Sequence, residues 1–156
     1  MSARMDALIG HDYSVRRFAE LAAHYQMAIV WRTVMECDGW QDIPTPEWTN
    51  EDDAKAVLAS LMPEYVDRHG EELFGIVTLS SEGLIAAVMR DEEIASSYAS
   101  WEDYHAAYTR GPTPKHPEAN RWPVLLSSDD SETIWDGWHR FHSYIRDGAH
   151  EIPAVF

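Results

Sequence analysis

The strongest constraint on this chain lies in residues 121–156, where two glycines, Gly137 and Gly148, bracket one stretch of helical length between apolar runs too short for helices. Trp122 to Leu126 is a continuous apolar run of the kind found in buried strands. Ser127 to Ser131 supplies a polar hairpin turn, and Glu132 to Trp135 a return strand. Gly137 turns the chain into a helix over Trp138 to Asp147, Gly148 stops that helix, and Ile152 to Phe156 forms a last strand. This order of strand, turn, strand, helix and strand commits the segment to a mixed α and β unit.

The rest of the chain is mostly helical by pattern. Phe18, Leu21, Ala22, Tyr25, Ile29 and Val30 recur at helical spacing, so Ser14 to about Glu36 reads as a helix with Ser14 as its N-cap. Pro44 and Pro46 make Gly39 to Trp48 a loop. Asn50 ahead of Glu51, Asp52 and Asp53 starts a second helix, which runs to about Arg68 with Pro63 as a break point. Glu71 to Ser80 then holds a strand through Leu73, Phe74, Ile76, Val77 and Leu79, and Ser81 caps a helix over Glu82 to Met89. Further helices are expected around Asp91 to Tyr98 and from Ser100 to near Arg110, the latter opened by Ser100 with Asp103 one turn on. Trp101, Tyr104, His105 and Tyr108 share one face of it, as a core-facing stripe does. Pro112, Pro114 and Pro117 make Gly111 to Asn120 a loop.

Composition narrows the class. At 156 residues with seven tryptophans and 45% hydrophobic content, the chain can bury one sizeable core. Cys37 stands alone and so forms no internal disulfide, and Met1 to His11 lack the basic start and apolar run of a secretory signal, which points to a reducing cytoplasm. No apolar run approaches the roughly 20 residues of a membrane span. The formal charge of −15 opposes binding to a DNA backbone. Its acidic excess lies before residue 110, in Glu51 to Asp53, Glu71-Glu72 and Asp91 to Glu93, whereas Arg121, His139, Arg140, His142 and Arg146 follow it. Acidic runs of this kind are usually solvated faces, though a surface this negative also suits a basic protein partner.

The chemistry concentrates at the Gly137 turn. A strand that passes through a glycine into a helix leaves backbone amides free at the positive end of the helix dipole, a site suited to phosphate. His139 and Arg140 sit on the first helical turn, Arg as a planar fork of donors and His as a pH-dependent one. Either they bind an anion, or they merely form a helix start held by Asp136 or by the acidic half of the protein. Asp136 itself either shapes the turn, orients His139 or holds Mg²⁺ beside bound phosphates. A metal held by His139 and His142 lacks an evident carboxylate or cysteine partner. Trp135, Trp138, Phe141 and Tyr144 fill the core or line the site, and rings so placed could also stack a nucleobase.

Gly137-Trp138-His139-Arg140-Phe141-His142-Ser143-Tyr144, followed by Ile152-Pro153-Ala154-Val155, resembles the signature of the ParB/sulfiredoxin superfamily. Pro123 to Leu126 resembles the strand ahead of that box, and Gly75 to Leu84 the strand and helix that open the domain. The resemblance implies an α+β domain with a small mixed sheet over residues 71–156, preceded by a helical N-terminal extension over residues 1–70. It implies phosphate binding by Gly137, His139 and Arg140, supported by Asp136, Trp138 and His142, with ATP or CTP and Mg²⁺ as ligands and nucleotide hydrolysis as a further step. Trp138 stands where sulfiredoxins carry their catalytic cysteine, so sulfinic acid reduction is not expected. No helix-turn-helix follows the box, so a DNA-clamping ParB is not expected either. Two rival functions remain: a metal-dependent nuclease, and an acidic interaction or inhibitor protein of a plasmid, phage or other mobile element that keeps the fold without catalysis.

Overall fold

A computed structural model describes residues 10–36, 51–109, 121–128 and 133–156. Among these, the chain forms a mixed α+β structure with a five-stranded mixed sheet and six α-helices. In chain order the elements are β1 (Tyr13–Arg17), α1 (Ala23–Glu36), α2 (Glu51–His69), β2 (Leu73–Ser80), α3 (Ser81–Val88), α4 (Glu92–Ser97), α5 (Trp101–Tyr108), β3 (Val124–Leu126), β4 (Ile134–Asp136), α6 (Trp138–Arg146) and β5 (Glu151–Val155). A short 3₁₀ helix, Phe18–Glu20, follows β1. The sheet order is β1-β2-β5-β3-β4.

The chain divides into two compact units, Val15–Phe74 and Met1–Ser14 with Gly75–Phe156. Within Val15–Phe74, the fully buried Phe18 packs its ring 4.8 Å from Tyr65 and 6.0 Å from Phe74. Leu21, Ala28, Ile29, Val30 and Leu58 complete that core. Thr33 Oγ1 and the Tyr65 hydroxyl share a hydrogen bond of 3.2 Å, and Gln26 Nε2 donates to the Phe18 carbonyl at 3.0 Å. Pro63 does not break α2, which runs through it.

The expected helix over Ser14 to Glu36 is corrected at its start. Tyr13–Arg17 is a strand, the Phe18 and Ala19 amides donate to the carbonyls of Glu72 and Gly70, and the helix begins only at Ala23. The physical reason is that hydrogen bonds to a segment some fifty residues away satisfy this backbone, and Tyr13 and Val15 are good strand formers. The N-terminal region is therefore not purely helical. Asn50 as a cap, the Gly39 to Trp48 and Gly111 to Asn120 loops, most of the Ser127 to Ser131 turn and Cys37 lie outside the described residues.

Within the second unit, β2 and β5 are antiparallel, β5 and β3 parallel, and β3 and β4 antiparallel. β3 sits inside the sheet, and Val124, Leu125 and Leu126 are all buried, as a continuous apolar strand requires. β4 lies at the edge and leaves Trp135 exposed. Pro153 stands in the interior strand β5 opposite Thr78. Gly75 and Phe156 exchange both backbone hydrogen bonds, at 2.7 and 3.0 Å. Alternation along an antiparallel pair then makes Thr78 and Pro153 a non-hydrogen-bonded pair, where the missing amide costs nothing toward β2.

Local signals place the helices. Ser80, one residue earlier than expected, caps α3 by accepting from the Gly83 amide, and Ser100 caps α5 by accepting from the Asp103 amide. Leu84, Ala87 and Val88 of α3 and Phe141 and Tyr144 of α6 bury their side chains with Val77, Leu79, Ile134, Ile152 and Ala154 of the sheet. Tyr144 also donates from its hydroxyl to the Trp122 carbonyl. No helix among the described residues is long and apolar enough to cross a membrane.

Candidate functional site

The turn between β4 and α6 has the geometry its glycine suggests. Gly137 adopts φ 97° and ψ 24°, in the left-handed region, and no side chain caps the helix at that position. The first four amides of a helix have no partner within it, so the start of this nine-residue helix presents donors and the positive end of its dipole.

Arg140 folds back over this turn. The residue is 8% exposed, and a Cβ built on Gly137 would lie 2.8 Å from Nη2 and 2.9 Å from Nε. Glycine is therefore required twice, for the backbone angle and for the guanidinium that lies against it. Nη2 donates to Asp136 Oδ2 at 3.3 Å, a contact that uses one of five donors. The guanidinium carbon also lies 5.6 Å from the centre of the Trp122 ring, within cation–π range. Burial pushes the Arg140 pKa down from its ordinary value, while Asp136 and then Tyr144 oppose the shift. Gly137, Arg140 and Asp136 thus meet at one point, and Asp136 spends its carboxylate on Arg140.

The other residues divide. His139 is exposed on the first turn of α6, with its ring 5.1 Å from Tyr108. Trp138 is half-buried. His142 is fully buried and takes part in a stack of rings between α5 and α6. Its ring lies 4.0 Å from Tyr108 and nearly parallel to it, and 5.1 Å from His105. The two histidines share a hydrogen bond between their Nδ1 atoms at 2.8 Å. Burial lowers the His142 pKa to about 3, with His105 and His139 adding to the shift, so its ring is neutral and brings no positive charge to an anion. Its Nε2 is buried without a hydrogen-bond partner.

Sequence reasoning missed the His105–His142 pair. His105 stood in the aromatic stripe of α5 and His142 in the box of α6, 37 residues apart, and no local pattern joins them. It also missed Asp91, which lies in an acidic run yet is only 6% exposed. The Thr133 amide and hydroxyl donate to its two carboxylate oxygens at 3.2 and 2.9 Å, tying the end of α3 to the start of β4. Among the described residues, no group of three or more His, Cys, Asp or Glu side chains could hold a metal. Compared with known proteins, the chain matches no family model, no curated protein and no solved structure.

Proposed function

We propose that the Gly137 turn binds the phosphates of a nucleotide, in a domain of ParB/sulfiredoxin type. The observation that carries this reading is the buried Arg140 guanidinium laid against a left-handed glycine at the start of α6. Free amides, a helix dipole and a guanidinium directed at one small space form an anion site with the donor geometry that phosphate oxygens prefer. His139, exposed beside it, adds a donor. A phosphate entering the turn replaces Asp136 as the partner of Arg140. The released carboxylate then lies beside the bound phosphates, where Mg²⁺ needs only one or two protein oxygens. ATP and CTP are the nucleotides that the resemblance of the box proposes.

The test is titration with ATP and CTP, with and without Mg²⁺, in the wild type, His139→Ala and Arg140→Lys. Lysine keeps the charge and loses the fork, so Arg140→Lys weakens binding about tenfold or more, and His139→Ala by a few fold. His139 is exposed, so that variant leaves the fold intact. Equal affinity in all three proteins, or no binding to the wild type at millimolar nucleotide, ends the proposal.

A further inference from the structure

A cavity of about 390 Å³ opens beside α4 and α5, within the range of about 300–1,000 Å³ typical of small-molecule sites. Tyr98, Tyr104, Tyr108 and Trp138 form its aromatic walls, and Asp91 and Glu93 are its acidic ones. The three tyrosines make a continuous ring series, with centroids 5.1 Å apart from Tyr98 to Tyr104 and 6.0 Å from Tyr104 to Tyr108. No Lys, Arg or His lines this space among the described residues.

The lining selects the ligand by elimination. An anion would meet two carboxylates and no cation. A neutral apolar ligand would strip water from the Glu93 carboxylate without giving it a partner, which is costly for a charged group, whereas Asp91 already accepts from Thr133. A metal ion would find rings where it needs ligands, and no cluster of three ligating side chains is present among the described residues. An organic ammonium ion suits both the aromatic and the acidic walls, since aromatic faces attract cations and carboxylates neutralise them. Burial raises the Asp91 pKa, against the opposing hydrogen bonds from Thr133.

We propose that this cavity is a binding site for an organic ammonium ion, of the methylated class that aromatic boxes recognise. Gly137, His139 and Arg140 do not line this cavity, which borders the phosphate site through Trp138 and Tyr108. The shared chemistry is a trimethylammonium group, carried either by a small free molecule or by a methylated lysine.

Calorimetric titration of the full chain with choline, with its neutral isostere 3,3-dimethylbutan-1-ol and with a peptide bearing trimethyllysine or unmodified lysine tests it. Choline or the trimethyllysine peptide binds roughly tenfold or more tightly than the uncharged isostere or the unmodified peptide. The tighter of the two cationic probes identifies the source. Glu93→Gln and Tyr98→Leu, both at positions outside the buried core, weaken binding several-fold, and so does Asp91→Asn, which keeps an acceptor for the Thr133 amide. The isostere binding as tightly as choline, no cationic probe binding at millimolar concentration, or unchanged affinity in all three folded variants overturns the proposal.

Discussion

Replacing Gly137 by alanine tests whether Arg140 is held where the geometry puts it. A left-handed backbone costs an L-residue about 1–2 kcal/mol, and Gly137 has φ 97°. The new Cβ also meets the guanidinium, at 2.8 Å from Nη2, 2.9 Å from Nε and 3.2 Å from Cζ, so the group must move and its contact with Asp136 is lost. A hydrogen bond between charged groups contributes about 1.5–3 kcal/mol, which brings the expected loss to about 2.5–5 kcal/mol. Gly148→Ala is the matched control: its φ of 77° carries the same backbone cost, but nothing lies within 4 Å of the new Cβ. The gain from a stiffer unfolded chain is common to both variants and cancels between them. Urea unfolding followed by circular dichroism should therefore show Gly137→Ala weaker than Gly148→Ala by about 1.5–3 kcal/mol. In an Arg140→Ala background the difference disappears. Equal losses in the two glycine variants would refute the placement of the guanidinium.

Two predictions concern pH. The His142 pKa is lowered to about 3 from an ordinary 6.5, so the folded state binds fewer protons than the unfolded one in that window; stability is fully present above about 6.5 and falls as pH drops toward 3. Ring proton shifts from NMR should leave His142 neutral until pH nears 3, and a midpoint near 6.5 would show the ring hydrated rather than buried. Asp91 carries the opposite sign: its pKa is raised from 3.8, so its contribution is greatest below that value and is lost as pH rises through the folded pKa. Asp91→Asn keeps an acceptor for the Thr133 amide and removes the buried charge, so its melting temperature at neutral pH should equal or exceed that of the wild type, with the gap closing in acid; a uniform loss at every pH would count against this.

Much of the second unit was legible because its signals are local. Val124 to Leu126 reads as buried from its apolar run alone, and α6 is bounded by two glycines that both take positive φ. Ser100 accepts from Asp103 one turn on, so its cap is written within four residues. What failed depends on partners remote in sequence. Tyr13 to Arg17 becomes a strand because backbone partners lie near residue 72, and a helix-spaced series starting at Phe18 hides that. Asp91 looks like part of a solvated acidic face until Thr133 arrives from 42 residues away. At the box, sequence offered Arg140 either to a phosphate or to Asp136; the coordinates show the contact with Asp136 and add Gly137 as a floor that no local pattern announced.

The turn and the cavity share residues, and this bears on how they act. Trp138 follows Gly137 directly and walls the cavity, while Tyr108 faces the same cavity and touches the ring of His139 on the first turn of α6. The charge of Asp136 reaches Tyr108 as well, since after burial it is the second cause that raises the hydroxyl pKa. An anion at the turn and a cation in the cavity would be oppositely charged neighbours separated by these side chains, in a setting that screens them less than water does. Each would favour the other, and linkage makes the effect equal in both directions. Tyr108 and Trp138, which wall the cavity and adjoin the first turn of α6, are the side chains through which such a coupling would act.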